Sequence, residues 1–299
     1  MVDTVLAVDI GGSKMSCGIV DDVGSILISA SVATPAFSDD PEEVFGALRY
    51  LIEGIMVNRG SDGGSMPIAC GVGSVGPMSA GGRSVSPLNI SSWREFPLLS
   101  RVQEVVQMPT FVDNDAKALA LGEGWVGAAR GVNNYISMVV STGIGGGIVL
   151  DGRLLDGSEG NAGHIGHVIV VPDGRQCSCG SFGCLEAEAS GSAIQAITGK
   201  PPKDASEQVI DRTGTLVGLG VASVMNLLDL RLCTIAGSVA LGYGERFFAA
   251  ANRELTKRSR MAYTSGAMIR PCGLGAEGPL IGASAVGWRG IGRLNNGAG

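Results

Sequence analysis

Both histidines of this 299-residue chain, His164 and His167, stand three residues apart, and three of its seven cysteines follow as "CSCGSFGC", Cys177 to Cys184. Thiolate and imidazole are ligands that zinc takes readily. Cys177, Cys179 and Cys184 with one histidine supply the four donors of a tetrahedral site. A disulfide competes for the same cysteines. The C-x-C spacing counts against it, and so does the expected compartment. Cys17, Cys70, Cys233 and Cys272 are scattered through apolar sequence, which suits buried thiols in a reducing cytoplasm. On a strand, residues three apart point to opposite faces, so one histidine is expected to bind the metal while the other looks elsewhere. A Cys3His set fills every position and leaves none for an activated water. The expected metal therefore holds a loop.

Two glycine turns suggest a second kind of chemistry. In "DIGGSK", Asp9 to Lys14, an apolar run ends in Asp-x-Gly-Gly. Backbone N–H groups there can converge on an anion while the carboxylate faces an accompanying cation. An ordinary hairpin turn is the competing reading, and a lone Gly-Gly would favour it. A second copy, "STGIGGG" at Ser141 to Gly147, raises the odds, because two such hairpins could face one polyphosphate. Neither is a G-x-x-x-x-G-K-[ST] loop. In "VDNDAKA", Asp115 either caps a helix or serves as a general base at the C-terminal edge of a strand, and the motif alone favours capping.

The elements that must carry these residues read as alternating strands and helices. "VLAVDIGGSKMSCGIVDDVGSIL" and "YISMVVSTGIGGGIVLDGRLLDG" share one order of three apolar runs separated by a Gly turn and an Asp turn, which suggests two related halves. "DPEEVFGALRYLIEGIM" opens on an acidic turn and puts Val44, Leu48, Leu51 and Ile55 on one face, so it is expected to be a helix. "PIACGVGSVGPM" reads as a short buried strand. "PTFVDNDAKALALGEGWVGAARG" reads as a strand and then a helix running from Asn114–Asp115 to Gly131. "TLVGLGVASVMNLLDLRLCTIAGSVA" adds a helix, a strand and a further Gly turn. The class is α/β with two lobes.

Composition agrees with an ordered globular protein: 45% hydrophobic and 17% charged residues, with 48 glycines placed at turns. A net charge of −6 and the lack of a Lys/Arg run give no broad attraction to nucleic acid or an anionic membrane. No apolar run approaches the ~20 residues that cross a bilayer, and "MVDTVLAVDIGG" reads as a buried strand, not a leader. A cytoplasmic protein without nucleic-acid or membrane partners is expected.

Together these residues resemble the ROK family, named for repressors, open reading frames and kinases. "CSCGSFGCLE" is similar to the family's Cys-x-Cys-Gly-x-x-Gly-Cys-x-Glu zinc signature, and "DNDAKALALGE" to its catalytic Asn-Asp segment. "NISSW", Asn89 to Trp93, resembles an Asn-Leu-Pro-Gly-Trp element without its Pro and Gly. "AGSVA" stands where the family has a Gly-rich adenosine loop, which implies Gly237 and Ser238 there. The resemblance implies an actin-like, ribonuclease-H-like pair of lobes of the sugar-kinase type with a structural zinc loop, and ATP and a hexose between the lobes. One lobe would span 1–115 and be completed by a C-terminal helix over 281–299; the other would span 116–280. Asp115 would take the proton of the sugar's 6-hydroxyl. Asn114, Glu186 and His167 would hold other hydroxyls, with His167 also ligating zinc beside Cys177, Cys179 and Cys184. Gly76 and Asn89 would lie on the sugar side. Asp9, Gly11, Gly12, Ser13, Lys14, Thr142 and Gly143 would surround the phosphates of Mg-ATP. Family members are often dimers or tetramers, which implies a homo-oligomer.

The family has Glu-x-Gly-His where this chain has His164-Ile165-Gly166-His167. A carboxylate only accepts hydrogen bonds, whereas a neutral imidazole offers one donor and one acceptor. Either His164 changes the choice of sugar, or a water bridges it to the same hydroxyls. Two other functions are weighed against a hexose kinase. A sugar-responsive regulator would carry a helix-turn-helix before the first phosphate loop, and only eight residues precede Asp9. A sugar-binding protein with altered or lost kinase activity would follow if His164 disables the pocket.

Overall fold

The computed structural model describes residues 2–61 and 64–294. In chain order the elements are β1 (Thr4–Ile10), β2 (Lys14–Asp21), β3 (Ile26–Ala33), α1 (Pro41–Ser61), β4 (Ala69–Ser74), α2 (Leu98–Val106), β5 (Thr110–Asn114) and α3 (Asp115–Trp125). They continue with β6 (Tyr135–Val140), β7 (Ile144–Leu150), β8 (Arg153–Leu154), α4 (Leu185–Ala189), α5 (Gly191–Thr198) and α6 (Glu207–Leu228). The chain closes with β9 (Leu232–Ala236), α7 (Ser238–Arg258), β10 (Met268–Pro271) and α8 (Gly278–Gly290). Among the described residues no helix is long and apolar enough to cross a membrane.

Two mixed sheets share one topology. The first has the order β3-β2-β1-β4-β5 and the second β10-β9-β6-β7-β8, which is the same order read from the other end. In each, three strands form an antiparallel meander, and two more join in parallel on the far side of the first strand. The two related halves expected from the sequence are these meanders. Parallel partners require helical crossovers, and α1 and α6 occupy the equivalent places between a meander and its first parallel strand.

The first sheet packs Leu6, Val8 and Ile10 of β1 against Val44, Phe45, Leu48, Leu51, Ile52 and Ile55 of α1. Helix propensity does not explain α1, because Gly46 and Gly54 each cost about 1 kcal/mol relative to Ala. Burial of six large side chains, at roughly 1.5–3 kcal/mol each, outweighs that cost. In the second sheet, Ile136, Met138 and Val140 of β6 share a core with Val217, Val221 and Met225 of α6 and with Phe247, Ala251 and Leu255 of α7.

The chain divides into two compact units, and their limits differ from a boundary at 115/116. The first unit runs to Gly131 and includes Asp156–Ala162 and the segment from Leu274 on; the second is Val132–Leu155 with Gly163–Gly273. α3 stays with the first unit because it packs on α8 through small residues, with Gly122 facing the backbone of Gly282. The segment Asp156–Ala162 is held to the first unit by Lys117, only 2% exposed, whose Nζ meets Asp156 Oδ1 at 2.9 Å and the Gly160 carbonyl at 3.0 Å. The expected C-terminal helix is α8, which begins at Gly278 and ends at Gly290; residues 295–299 of the expected 281–299 span lie outside the described residues.

Candidate active site

In the first unit, β1, β4 and β5 run parallel in register, so Ile10, Ser74 and Asn114 come level at one edge. That is the C-terminal edge, where α/β sheets place ligands. Asp9 sits there, partly exposed, one residue before the turn that Gly11 N–H closes on the Lys14 carbonyl at 3.0 Å. Ser13 and Lys14 are exposed on the far side of that turn.

Asn114 is the N-cap of α3: its side-chain oxygen accepts the Ala116 N–H at 3.0 Å. Asp115 is therefore the first helical residue and not the cap, although its Oδ1 also accepts the Ala116 N–H at 2.8 Å. Capping, which the motif alone favours, falls to Asn114. Gly76 packs on Asn114, with the side-chain nitrogen 3.3 Å from the place a Cβ would take. Asn89 occupies the space beside Gly12, where a Cβ would lie 2.8 Å from the Asn89 Cγ. One edge of one unit thus gathers Asp9, Gly11, Gly12, Gly76, Asn89, Asn114 and Asp115.

Burial and the Asp115 carboxylate together push the Asp9 pKa up from 3.8 to about 7, with Lys14 acting the other way. The unfolded chain loses this proton near 3.8 while the folded chain keeps it to about 7. Between those values the folded state binds more protons, so this group's contribution to stability falls as pH rises and is flat above about 7. Asp9→Asn is expected to leave the melting temperature of the unliganded protein unchanged at pH 4 and to raise it at pH 8. Calorimetry of both proteins at the two pH values checks this; equal shifts at both would sink the assignment.

The second unit repeats the hairpin. Ser141 N–H bonds the Gly143 carbonyl at 3.0 Å between β6 and β7, and Gly191 and Ser192 donate to the carbonyls of Ser141 and Thr142 at 2.7 and 3.1 Å. Gly237, at φ 102°, lies against Val140, and Ser238 Oγ is 3.0 Å from Ser141 Oγ. Thr142, Gly143, Gly237 and Ser238 therefore come together. Glu186, on α4, reaches the same hairpin: its Oε2 accepts the Ile144 N–H at 2.8 Å, in space that Gly143 leaves by lacking a Cβ.

His167, Cys177, Cys179 and Cys184 converge, with one donor atom from each lying within 4.8 Å of all the others. His167 Nδ1 is 3.6 Å from Cys177 Sγ, and Cys179 Sγ is 3.7 Å from Cys184 Sγ. Ligands about 2.0–2.3 Å from a tetrahedral metal are separated by roughly 3.3–3.8 Å. The donor set is one that could hold such a metal. The histidines are not on a strand. Residues 165–167 form a 3-10 turn, in which positions three apart eclipse, so the rings of His164 and His167 lie on one side with centroids 6.2 Å apart and planes within 15°. His167 turns toward the cysteines.

A family model described as "ROK family" matches residues 5–288. The chain belongs to the ROK family. It is 36% identical over 215 residues to a glucokinase of Streptomyces coelicolor, covering 72% of this chain but 64% of that protein, so the match spans just under two thirds of the relative. It is 32% identical over 257 residues to an N-acetylmannosamine kinase of Escherichia fergusonii, covering 81% and 85% of the two chains. Among solved structures, a ROK glucokinase of Streptomyces griseus in complex with glucose and AMPPNP superposes with a TM-score of 0.81 at 29% identity, covering 96% of this chain and 99% of that one.

Several residues of this ROK chain that brace the site carry no sequence signal of their own. Asn161 clamps the loop after Gly76, donating to the Met78 carbonyl at 2.9 Å and accepting the Met78 N–H at 3.4 Å. Glu188, two residues past Glu186 and 2% exposed, accepts the Arg175 N–H at 2.7 Å and pairs with Arg212 at 2.5 Å. It ties α4 to the start of the cysteine loop and to α6. An "EAE" triplet on a helix gives no hint that one carboxylate faces a hairpin and the next, itself buried, an arginine of α6.

Proposed function

We propose that this chain is an ATP-dependent sugar kinase that transfers the γ-phosphoryl group to the 6-hydroxyl of a hexose, with Asp115 as general base. The observation that carries the reading is the placement of Asp115 beside Asp9 and the Gly11–Gly12 turn on one strand edge, with Asn114, Gly76 and Asn89 around it. Phosphoryl transfer asks a protein mainly for positioning and neutralisation of charge. The backbone N–H groups of the two hairpins would receive phosphate oxygens. Asn114 and Asn89 would hold hydroxyls so that one alcohol oxygen meets Asp115, which takes its proton as the new P–O bond forms and the bond from the γ-phosphorus to the ADP oxygen breaks, releasing ADP. Glu186 is carried over from the family resemblance as a further hydroxyl ligand.

Mg bound with ATP would supply charge neutralisation at the β- and γ-phosphate oxygens. Asp9 fits a place near it, since its carboxylate resists ionising without a positive partner. His167, Cys177, Cys179 and Cys184 fit zinc by donor type and spacing, and with all four positions filled by protein the metal would be structural. Cys184 precedes α4 directly, so the metal would set the helix that carries Glu186.

The relatives named above point to glucose and N-acetylmannosamine as first substrates to try. ADP release measured with glucose, mannose, fructose, N-acetylglucosamine and N-acetylmannosamine is expected to be sugar-dependent for at least one. Silence with every sugar, under both ATP and polyphosphate, would leave the second reading, a sugar-binding ROK protein without kinase activity. His164 is the residue that motivates that alternative, because it brings a donor to a position where the family's carboxylate only accepts.

A further inference from the structure

The loop from Pro87 to Trp93 carries Asn89 at an exposed tip, yet among the described residues a single backbone bond, Trp93 N–H to the Ile90 carbonyl at 3.2 Å, lies within it. Its base is closed by Val85 and Phe96, which exchange backbone bonds at 2.9 and 3.0 Å. Its far end is anchored by Trp93, fully buried, stacked on Phe96 at 4.4 Å and donating through Nε1 to the Pro41 carbonyl at 3.2 Å. Nothing so far holds the tip. Arg94 does: its Nη1 donates to the carbonyls of Pro87 at 2.7 Å, Ile90 at 3.1 Å and Trp93 at 2.8 Å.

Two of those carbonyls bracket Asn89, one two residues before it and one directly after. A guanidinium is always charged, and its bonds to carbonyls are roughly twice as strong as neutral ones. We propose that Arg94 is the positioning residue of Asn89, pinning both shoulders of the loop so that the Asn89 amide stays seated against Gly12 and toward the sugar. This rests on the sugar-kinase reading. The device also answers a feature of the sequence: Ser91-Ser92 stands where a Pro-Gly turn would stiffen the loop, and a side chain supplies the stiffness instead. Without Arg94 the buried Ile90 and Trp93 still anchor the loop, so the tip should loosen while the fold holds.

The test is a cycle of wild type, Arg94→Ala, Asn89→Ala and the double variant, with sugar KM, ATP KM and kcat measured for each, and amide hydrogen exchange over residues 88–93 of the unliganded proteins. Arg94→Ala should raise sugar KM about tenfold with kcat within about threefold and ATP KM unmoved. The double variant should match Asn89→Ala, because Arg94 acts through Asn89. Exchange of the Trp93 amide, whose acceptor is the Ile90 carbonyl that Arg94 holds, should quicken about tenfold in Arg94→Ala. Independent, multiplying penalties in the double variant would show a general structural role and overturn the proposal. So would an unchanged exchange pattern, or an Asn89→Ala enzyme with wild-type sugar KM. A wild type that turns over no hexose would overturn the kinase reading instead, and the exchange comparison would still decide whether Arg94 holds the tip.

Discussion

Asp115→Asn is expected to lower kcat by about 10²–10⁴-fold while leaving sugar affinity within a few-fold of wild type. The substitution keeps shape and removes only the ability to take a proton. It should not disturb the helix, because the cap of α3 belongs to Asn114, and an asparagine at position 115 still offers Oδ1 to the Ala116 N–H. A second consequence separates loss of the base from misfolding. The Asp115 charge helps to hold the Asp9 pKa up, so its removal lets Asp9 ionise at lower pH. The fall in stability that Asp9 causes with rising pH should therefore shrink in the variant, a change that calorimetry reads without any substrate. Steady-state ADP release and isothermal titration with sugar complete the test. A variant with wild-type turnover removes Asp115 as the base, and one that binds no sugar reassigns it to binding.

The fold was legible where strands are apolar runs closed by glycine or aspartate, as in the two meanders, and where helix spacing is clean, as in α1. The limits of elements were less so. The helix read from Asn114 to Gly131 ends at Trp125, because the Glu123 carboxylate takes the Ala128 N–H at 2.7 Å and the Leu274 N–H at 3.2 Å. The chain is turned there by a residue 151 positions away, which no local pattern reports. α2 passes unread, since its apolar positions follow a proline after an irregular loop. The zinc-type donors were legible because cysteine and histidine are rare and clustered. Their geometry was not: a strand would have split His164 from His167, and the structure uses a 3-10 turn. Bracing residues such as Arg94, Asn161 and Glu188 are common types whose partners lie across loops, so composition and spacing are silent about them.

Cys177→Ser is expected to empty the metal site and weaken the hexose complex more than it weakens nucleotide binding. The wild-type protein should contain about one zinc per chain by elemental analysis, and the variant none. The loop has some order without metal: Cys177 N–H bonds the Ser181 carbonyl at 2.8 Å, Gly183 N–H bonds the Arg175 carbonyl at 2.8 Å, and Glu188 holds Arg175. The end of the loop is also joined to the segment after His167, by Val170 N–H to the Gly183 carbonyl and Leu185 N–H to the Val168 carbonyl, each at 2.9 Å. What these bonds leave to the metal is to draw the His167 imidazole and the Cys177 and Cys179 thiolates onto Cys184. Structural zinc can contribute on the order of 10 kcal/mol in small domains, and less where the loop is already formed. Loss of the metal leaves α4 to those backbone bonds and to Glu188 alone, so Cys184 and the start of α4 gain freedom and the hold of Glu186 on Ile144 loosens. Sugar KM should then rise tenfold or more, and protease should cut between residues 171 and 183 in the variant but not in the wild type. A metal-free chain with unchanged sugar KM and unchanged protease resistance would show that Glu188 and the loop's own hairpin suffice, and that the four donors meet for some reason other than holding Glu186.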